Sequence, residues 1–120
     1  MVSFPKQPQQ DERTERTERT ERIIIDVPLD YSALFNTLID AFQQSAYHKG
    51  KERHGNGLPF VDQPIFTIGK LFGPGFAGGQ ATKKLQEAIG MAERGDREAA
   101  RKEALGAIVY AASLAHLWKG

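Results

Sequence analysis

Beyond position 96, apolar residues recur at steps of three and four: Ala100, Ala104, Ala107, Ile108, Ala111, Leu114, Ala115 and Trp118. That spacing follows the helical turn and predicts one long helix with a broad apolar stripe, uninterrupted by proline. Asp96 just ahead of it offers an acceptor to the unpaired N–H groups of a first turn, and Glu98 faces the helix dipole. Upstream of Gly95, Phe76, Ala77, Ala81, Leu85, Ala88, Ile89 and Ala92 mark a comparable face that starts after the Gly73-Pro74-Gly75 break. The last third therefore reads as a helical hairpin with both arms in the core. Small residues at Gly78, Gly79, Ala81, Ala104, Gly106 and Ala107 would let the helix backbones approach closely, or let a flat ligand lie against them.

A third amphipathic pattern lies nearer the N-terminus. Leu34, Phe35, Leu38, Ile39, Phe42 and Ala46 share one face, with Ser32, Asn36, Thr37, Asp40, Gln43 and Gln44 on the other. Asp30 is the expected opening of this helix and Arg53 its approximate end. Gly55-Asn56-Gly57 breaks the pattern, and Leu58-Pro59-Phe60-Val61 reads as an apolar loop inserted into the body. Asp62 is expected to cap a short helix with Pro64 in its first turn and Ile65, Ile68, Leu71 and Phe72 turned inward. Ahead of all this, Ile23, Ile24 and Ile25 favour a short extended segment, which must cross the helices or pair with a second copy.

Residues 1–22 contain no apolar face. From Glu12 to Arg22 the triplet Glu-Arg-Thr repeats, placing Glu and Arg at i, i+4, so the segment reads as a solvated, fraying helix or coil, or as an arm reaching a partner. The expected organisation is a charged tail over 1–22 and one all-α domain over 23–120: a small helical bundle built on the C-terminal hairpin, with a short extended N-terminal arm. A body of under about a hundred residues builds only a modest core, so a homo-oligomer is expected.

Charge and cysteine narrow the chemistry. Sixteen basic and fifteen acidic side chains give a formal charge of +1, which argues against a nucleic-acid or membrane-surface protein drawn by a global field. The absence of cysteine excludes disulfides, thiolate metal sites and a cysteine nucleophile. With no signal-peptide core or membrane-length apolar run, the expected location is cytoplasmic. His48, His54 and His116 fall on separate elements without metal-ligand spacing, and no Ser-His-Asp set or inward carboxylate pair can be assembled, so neither a metal nor a cofactor is expected.

The segment Lys49-Gly50-Lys51-Glu52-Arg53-His54-Gly55-Asn56-Gly57 does carry binding chemistry. Its cations supply charged donors and its glycines expose backbone N–H groups, a combination suited to phosphate, although its spacing matches neither a P-loop nor a dinucleotide fingerprint. The plain alternative is that the cations complement a helix C-terminus and solvate a turn. Lys84 forms a second candidate, beside the apolar stripe of the hairpin. The expected ligand set is Lys49, Lys51, Arg53, His54 and Lys84 toward phosphates, Asn56 or Gln63 toward a base edge, and Phe60 or Phe76 stacked on the base.

Two resemblances bear on function. Lys84-Leu85-Gln86-Glu87-Ala88-Ile89-Gly90, followed by Lys102-Glu103-Ala104-Leu105-Gly106-Ala107-Ile108-Val109-Tyr110, resembles the helix pair of the MazG-like all-α nucleotide pyrophosphatases. That family holds magnesium with EExxE and ExxD sets. Here Gln86, Glu87 and Gly90 stand at the first set and Ala104 and Ala107 at the second, so the resemblance implies a nucleotide-sized helical pocket whose hydrolysis has been lost. Lys49 to His54, Leu58-Pro59-Phe60-Val61-Asp62-Gln63-Pro64 and Leu105 to Tyr110 resemble segments of small bacteriophage and prophage proteins. The second resemblance implies a viral origin and no particular activity. The basic Gly-rich loop, the alanine-rich helix pair and the absence of a complete catalytic set lead, by analogy with small oligomeric phage proteins of that class, to the expectation of a phage-encoded, non-catalytic protein that sequesters a cyclic or signalling nucleotide of host immunity. The alternatives are a MazG-like pyrophosphatase with an altered metal site using Glu87, Asp96 and Glu103, or an interaction protein that inhibits a host enzyme.

Overall fold

A computed structural model describes residues 19–47 and 56–120. Four α-helices follow in order: α1 (Ser32–Ala46), α2 (Pro64–Phe72), α3 (Gly75–Glu93) and α4 (Arg97–Leu117). Short 3-10 turns precede the first two, at Leu29–Tyr31 and Phe60–Asp62, and there is no strand among the described residues.

The hairpin predicted from the stripes is the most extensive helix pairing, with α1 packed on α4, and α2 on α3 and α4. The turn between α3 and α4 follows its sequence signals. Gly95 takes φ 91°, where a Cβ would be strained, and the Ala99 N–H donates to Asp96 Oδ1 at 3.1 Å.

Seven apolar side chains are buried among the described residues, five of them alanine: Ala41, Ala77, Ala88, Ala100 and Ala107, with Phe66 and Leu105. Alanine lets helices approach closely but contributes little apolar area per residue. The bundle is thus held by a thin seam rather than by interdigitated large side chains, and this governs everything that lies outside the hairpin.

Several expectations are corrected by how the short elements dock. Asp30 does not open α1. The Tyr31 N–H donates to the Pro28 carbonyl at 2.9 Å, so Asp30 lies inside a 3-10 turn and Tyr31 precedes the helix without a side-chain cap. The helix ends at Ala46, short of Arg53, with the Tyr47 N–H on the Gln43 carbonyl. Asp62 likewise falls in a turn, and Gln63 takes the cap position because the following Pro64 ring favours extended backbone before it. In α2 only Phe66 is buried, while Leu71 and Phe72 are 79% and 76% exposed, because a nine-residue helix turns one narrow side toward α3 and α4. The apolar loop inserts only in part: Phe60 is half-buried, but Leu58 and Val61 are exposed. Ile23, Ile24 and Ile25 do not cross the helices of their own chain, being 62–88% exposed.

The largest departure concerns α1. Its one buried residue is Ala41, at 2% exposure, and its ties to α4 are polar: Arg101 Nη2 to Asp40 Oδ2 at 2.7 Å, and Gln44 Nε2 to the Lys102 carbonyl at 3.0 Å. Leu34, Leu38 and Phe42 remain 44–54% exposed. At roughly 100° per residue, the middle of the apolar face is turned about a quarter-circle away from Ala41. Of the amphipathic face predicted as core, Phe35, Ile39 and Ala46 are therefore half-buried, while Leu34, Leu38 and Phe42 point away from the chain's own body.

Candidate ligand-binding residues and the α1–α4 groove

Lys49, Lys51, Arg53 and His54 lie outside the described residues. The other candidates are placed, and each is engaged within its own part of the bundle. Asn56, exposed at φ 56°, and Gly57, at φ 71°, make the turn expected of them. Gln63 is buried and donates from Nε2 to the Leu58 carbonyl at 2.8 Å, which ties the loop 58–63 shut across the start of α2. One end of its amide is therefore committed to the backbone. Phe60 meets Phe66 edge-to-face at 5.0 Å, and Phe66 meets His116 in the same manner at 5.7 Å, forming a three-ring ladder that pins α2 to the end of α4. His116 meets Phe66 at the helix end but is itself exposed.

Phe76, at the start of α3, stands edge-on to Tyr110 of α4 with centroids 6.2 Å apart. Burial pushes the Tyr110 hydroxyl above the usual tyrosine range, because the phenolate would lose hydration there. Lys84 crosses the hairpin to Glu103 Oε2 at 3.4 Å, with both side chains about one-fifth exposed. Its position is seven residues, or roughly 10 Å, along α3 from Ala77, which lies near Phe66. The structure therefore gathers Phe60 and Gln63 at one corner and places Phe76 and Lys84 along the hairpin seam.

No group of three or more His, Asp or Glu side chains capable of holding a metal occurs among the described residues. Glu87 is exposed, Ala107 is buried and Glu103 faces Lys84. A divalent cation requires several convergent oxygen donors, so these positions do not fit the magnesium site that the pyrophosphatase resemblance implies.

One arrangement escaped the sequence reading. Asp40, Gln43 and Gln44 of α1 face Glu98, Arg101, Lys102 and Leu105 of α4 across an open groove of about 330 Å³. In sequence these are two ordinary polar faces, and only the crossing of α1 over α4 sets them opposite each other. The one signal was the run of paired amides and paired cations, Gln43-Gln44 and Arg101-Lys102. A second cleft, beneath α2 against Ala77 and Ser113, amounts to about 20 Å³ and admits no ligand larger than a water.

No protein-family model matches the chain, and comparison with curated proteins and with solved structures gives no significant match. The class defined by the fold is an all-α bundle with a C-terminal helical hairpin.

Proposed function

We propose that this chain is a non-catalytic, oligomeric nucleotide-binding protein, phage-encoded, which sequesters a nucleotide signal of host immunity. The observation that carries this reading is the α1–α4 groove. Its volume lies at the lower end of the range for small-molecule sites. Beyond the Arg101–Asp40 pair and the Gln44–Lys102 carbonyl bond that hold α1 on α4, it offers the Lys102 ammonium, the remaining Arg101 N–H donors and the Gln43 amide toward phosphate and a base edge. The chain continues from the groove's α1 side, through Tyr47, into the basic segment Lys49–His54. The lack of a metal-holding carboxylate group among the described residues favours binding over hydrolysis.

The test is to incubate the protein with cyclic oligonucleotides, cyclic ADP-ribose isomers and nucleoside triphosphates, and to chromatograph the filtrate before and after heat denaturation. Sequestration predicts a compound that disappears and returns intact on heating. Return as a new product would replace this reading with the pyrophosphatase one. Retention of every compound in the filtrate would overturn both.

A second reading is favoured by the Ile23–Ile25 arm, whose exposure suits an interaction protein that docks on a host enzyme. Deleting residues 1–25 would then abolish partner capture while leaving small-ligand binding intact.

A further inference from the structure

We propose, resting on the reading of this chain as an oligomer subunit, that the uncovered face of α1 is a two-fold interface in which α1 packs antiparallel on α1 of a second copy, with Leu38 near the axis. Leu34, Leu38 and Phe42, on one strip of the most amphipathic pattern in the N-terminal half, are 54, 44 and 54% exposed, and Tyr31 just ahead of the helix on the same side is 62% exposed. A whole aromatic side chain has roughly 150–250 Å² of surface, so this face offers on the order of 400 Å². In the proposed dimer Ile23, Ile24 and Ile25, exposed upstream of the helix, join the interface as well and bring it toward the roughly 800 Å² per partner of a stable one.

The occupant is a second copy for three reasons. The core this chain closes by itself is mostly alanine, so the large apolar residues of α1 require an apolar counter-surface that is always present with the chain. The pattern is also self-complementary. With Leu38 on the axis, Leu34 lies against Phe42 of the partner subunit and Phe42 against Leu34, while Tyr31 of each copy extends the strip at its own end. Finally, Asp40 is the one charged residue between Ser32 and Ala46, and Arg101 holds it on the α4 side. The face thus brings no like charges together and gives a charged partner nothing to recognise, and antiparallel packing opposes the two helix dipoles.

The absence of cysteine permits a direct test on the full chain. Sedimentation of the wild type is expected to show a dimer or a multiple of it. Leu38→Cys, oxidised with copper phenanthroline at low protein concentration, should form covalent dimers at least tenfold faster than Leu71→Cys, which replaces a more exposed residue on α2. Phe42→Glu should halve the assembly mass while circular dichroism stays helical. A monomeric wild type, equal cross-linking at positions 38 and 71, or a folded Phe42→Glu protein of unchanged mass would each overturn the interface. Should Phe42→Glu not fold, the cross-linking comparison decides alone. A cross-linked dimer without nucleotide binding would remove the proposed function and leave the interface standing, whereas a nucleotide-binding monomer would remove the interface and the oligomeric part of that reading and leave nucleotide sequestration standing.

Discussion

The side chain of Lys84 lies over Gly106. A Cβ built at position 106 would stand 3.1 Å from Lys84 Cδ, and beyond that point the ammonium reaches Glu103 at 3.4 Å. The glycine thus provides the space through which a lysine stem crosses the hairpin, packing its methylenes while its head stays paired. The crowding falls on a flexible side chain that can shift by a few tenths of an ångström. Gly106→Ala is therefore expected to stabilise by about 0.5 kcal/mol, since mid-helix alanine is favoured over glycine by nearly 1 kcal/mol. Gly106→Leu should instead displace Lys84 and lower stability by about 1–3 kcal/mol. Urea midpoints of the two variants would distinguish these signs.

Asp96 begins α4 by accepting the Ala99 N–H. Asp96→Ala should cost about 1 kcal/mol, and Asp96→Asn much less, because the amide oxygen still accepts that bond. Thermal unfolding of both variants at one pH measures the difference.

Phe66 joins Phe60 to His116 and is the largest buried side chain among the described residues. Phe66→Ala should cost about 3 kcal/mol and release α2, seen as early proteolytic cleavage between Leu58 and Gly73. Leu71→Ala on the same helix, at a position 79% exposed, should change stability by under about 0.5 kcal/mol.

Tyr110 makes a pH-dependent contribution. Its pKa is raised by burial above the unfolded value, so the folded state holds the proton more tightly. This stability is fully present below the unfolded pKa of about 10 and is lost as pH rises through the folded pKa. Alkaline titration should show one tyrosine ionising later than the others, and Tyr110→Phe should lessen the loss of helicity above about pH 10.

The Asp40–Arg101 pair holds α1 at an exposed site, its side chains 44% and 57% accessible. Arg101→Ala should cost under about 1 kcal/mol, with an effect that shrinks as salt rises. A larger loss, insensitive to salt, would show that α1 depends on this ion pair rather than on Ala41.

The predictions rest on features that differ in how plainly the sequence announced them. Gly95 and Asp96 specify the hairpin turn because caps and breakers are local properties, and the structure reproduces both. The stripes hold in part, since Ala77, Ala88, Ala100 and Ala107 are buried while Leu85, Ile89 and Trp118 are 48–65% exposed and Leu105 and Ser113, outside the stripe, are buried. Asp30 and Asp62 fall inside turns rather than at caps because a proline two or three residues before each, Pro28 or Pro59, accepts the bond that closes a 3-10 turn around it, which local acid-before-helix rules do not include. Of the candidate ligand residues, Asn56 was legible as a turn former. The internal bonds of Gln63 and the ring contacts of Phe60 and Phe76 were not, since each depends on a neighbour brought in by packing.

By itself, then, the sequence determined that the four helices of the described residues form, that α3 and α4 fold back on each other, and that α1 has one apolar side. Tertiary structure decided where that side points. Periodicity fixes a helix's faces relative to one another, but not its rotation about its own axis against the body. Here that rotation follows from Ala41 fitting against α4 and from the reach of Gln44 and Arg101, pairings separated by about sixty residues in sequence. The same crossing sets Gln43 and Gln44 opposite Arg101 and Lys102, so the groove, like the uncovered face, exists only once α1 has docked.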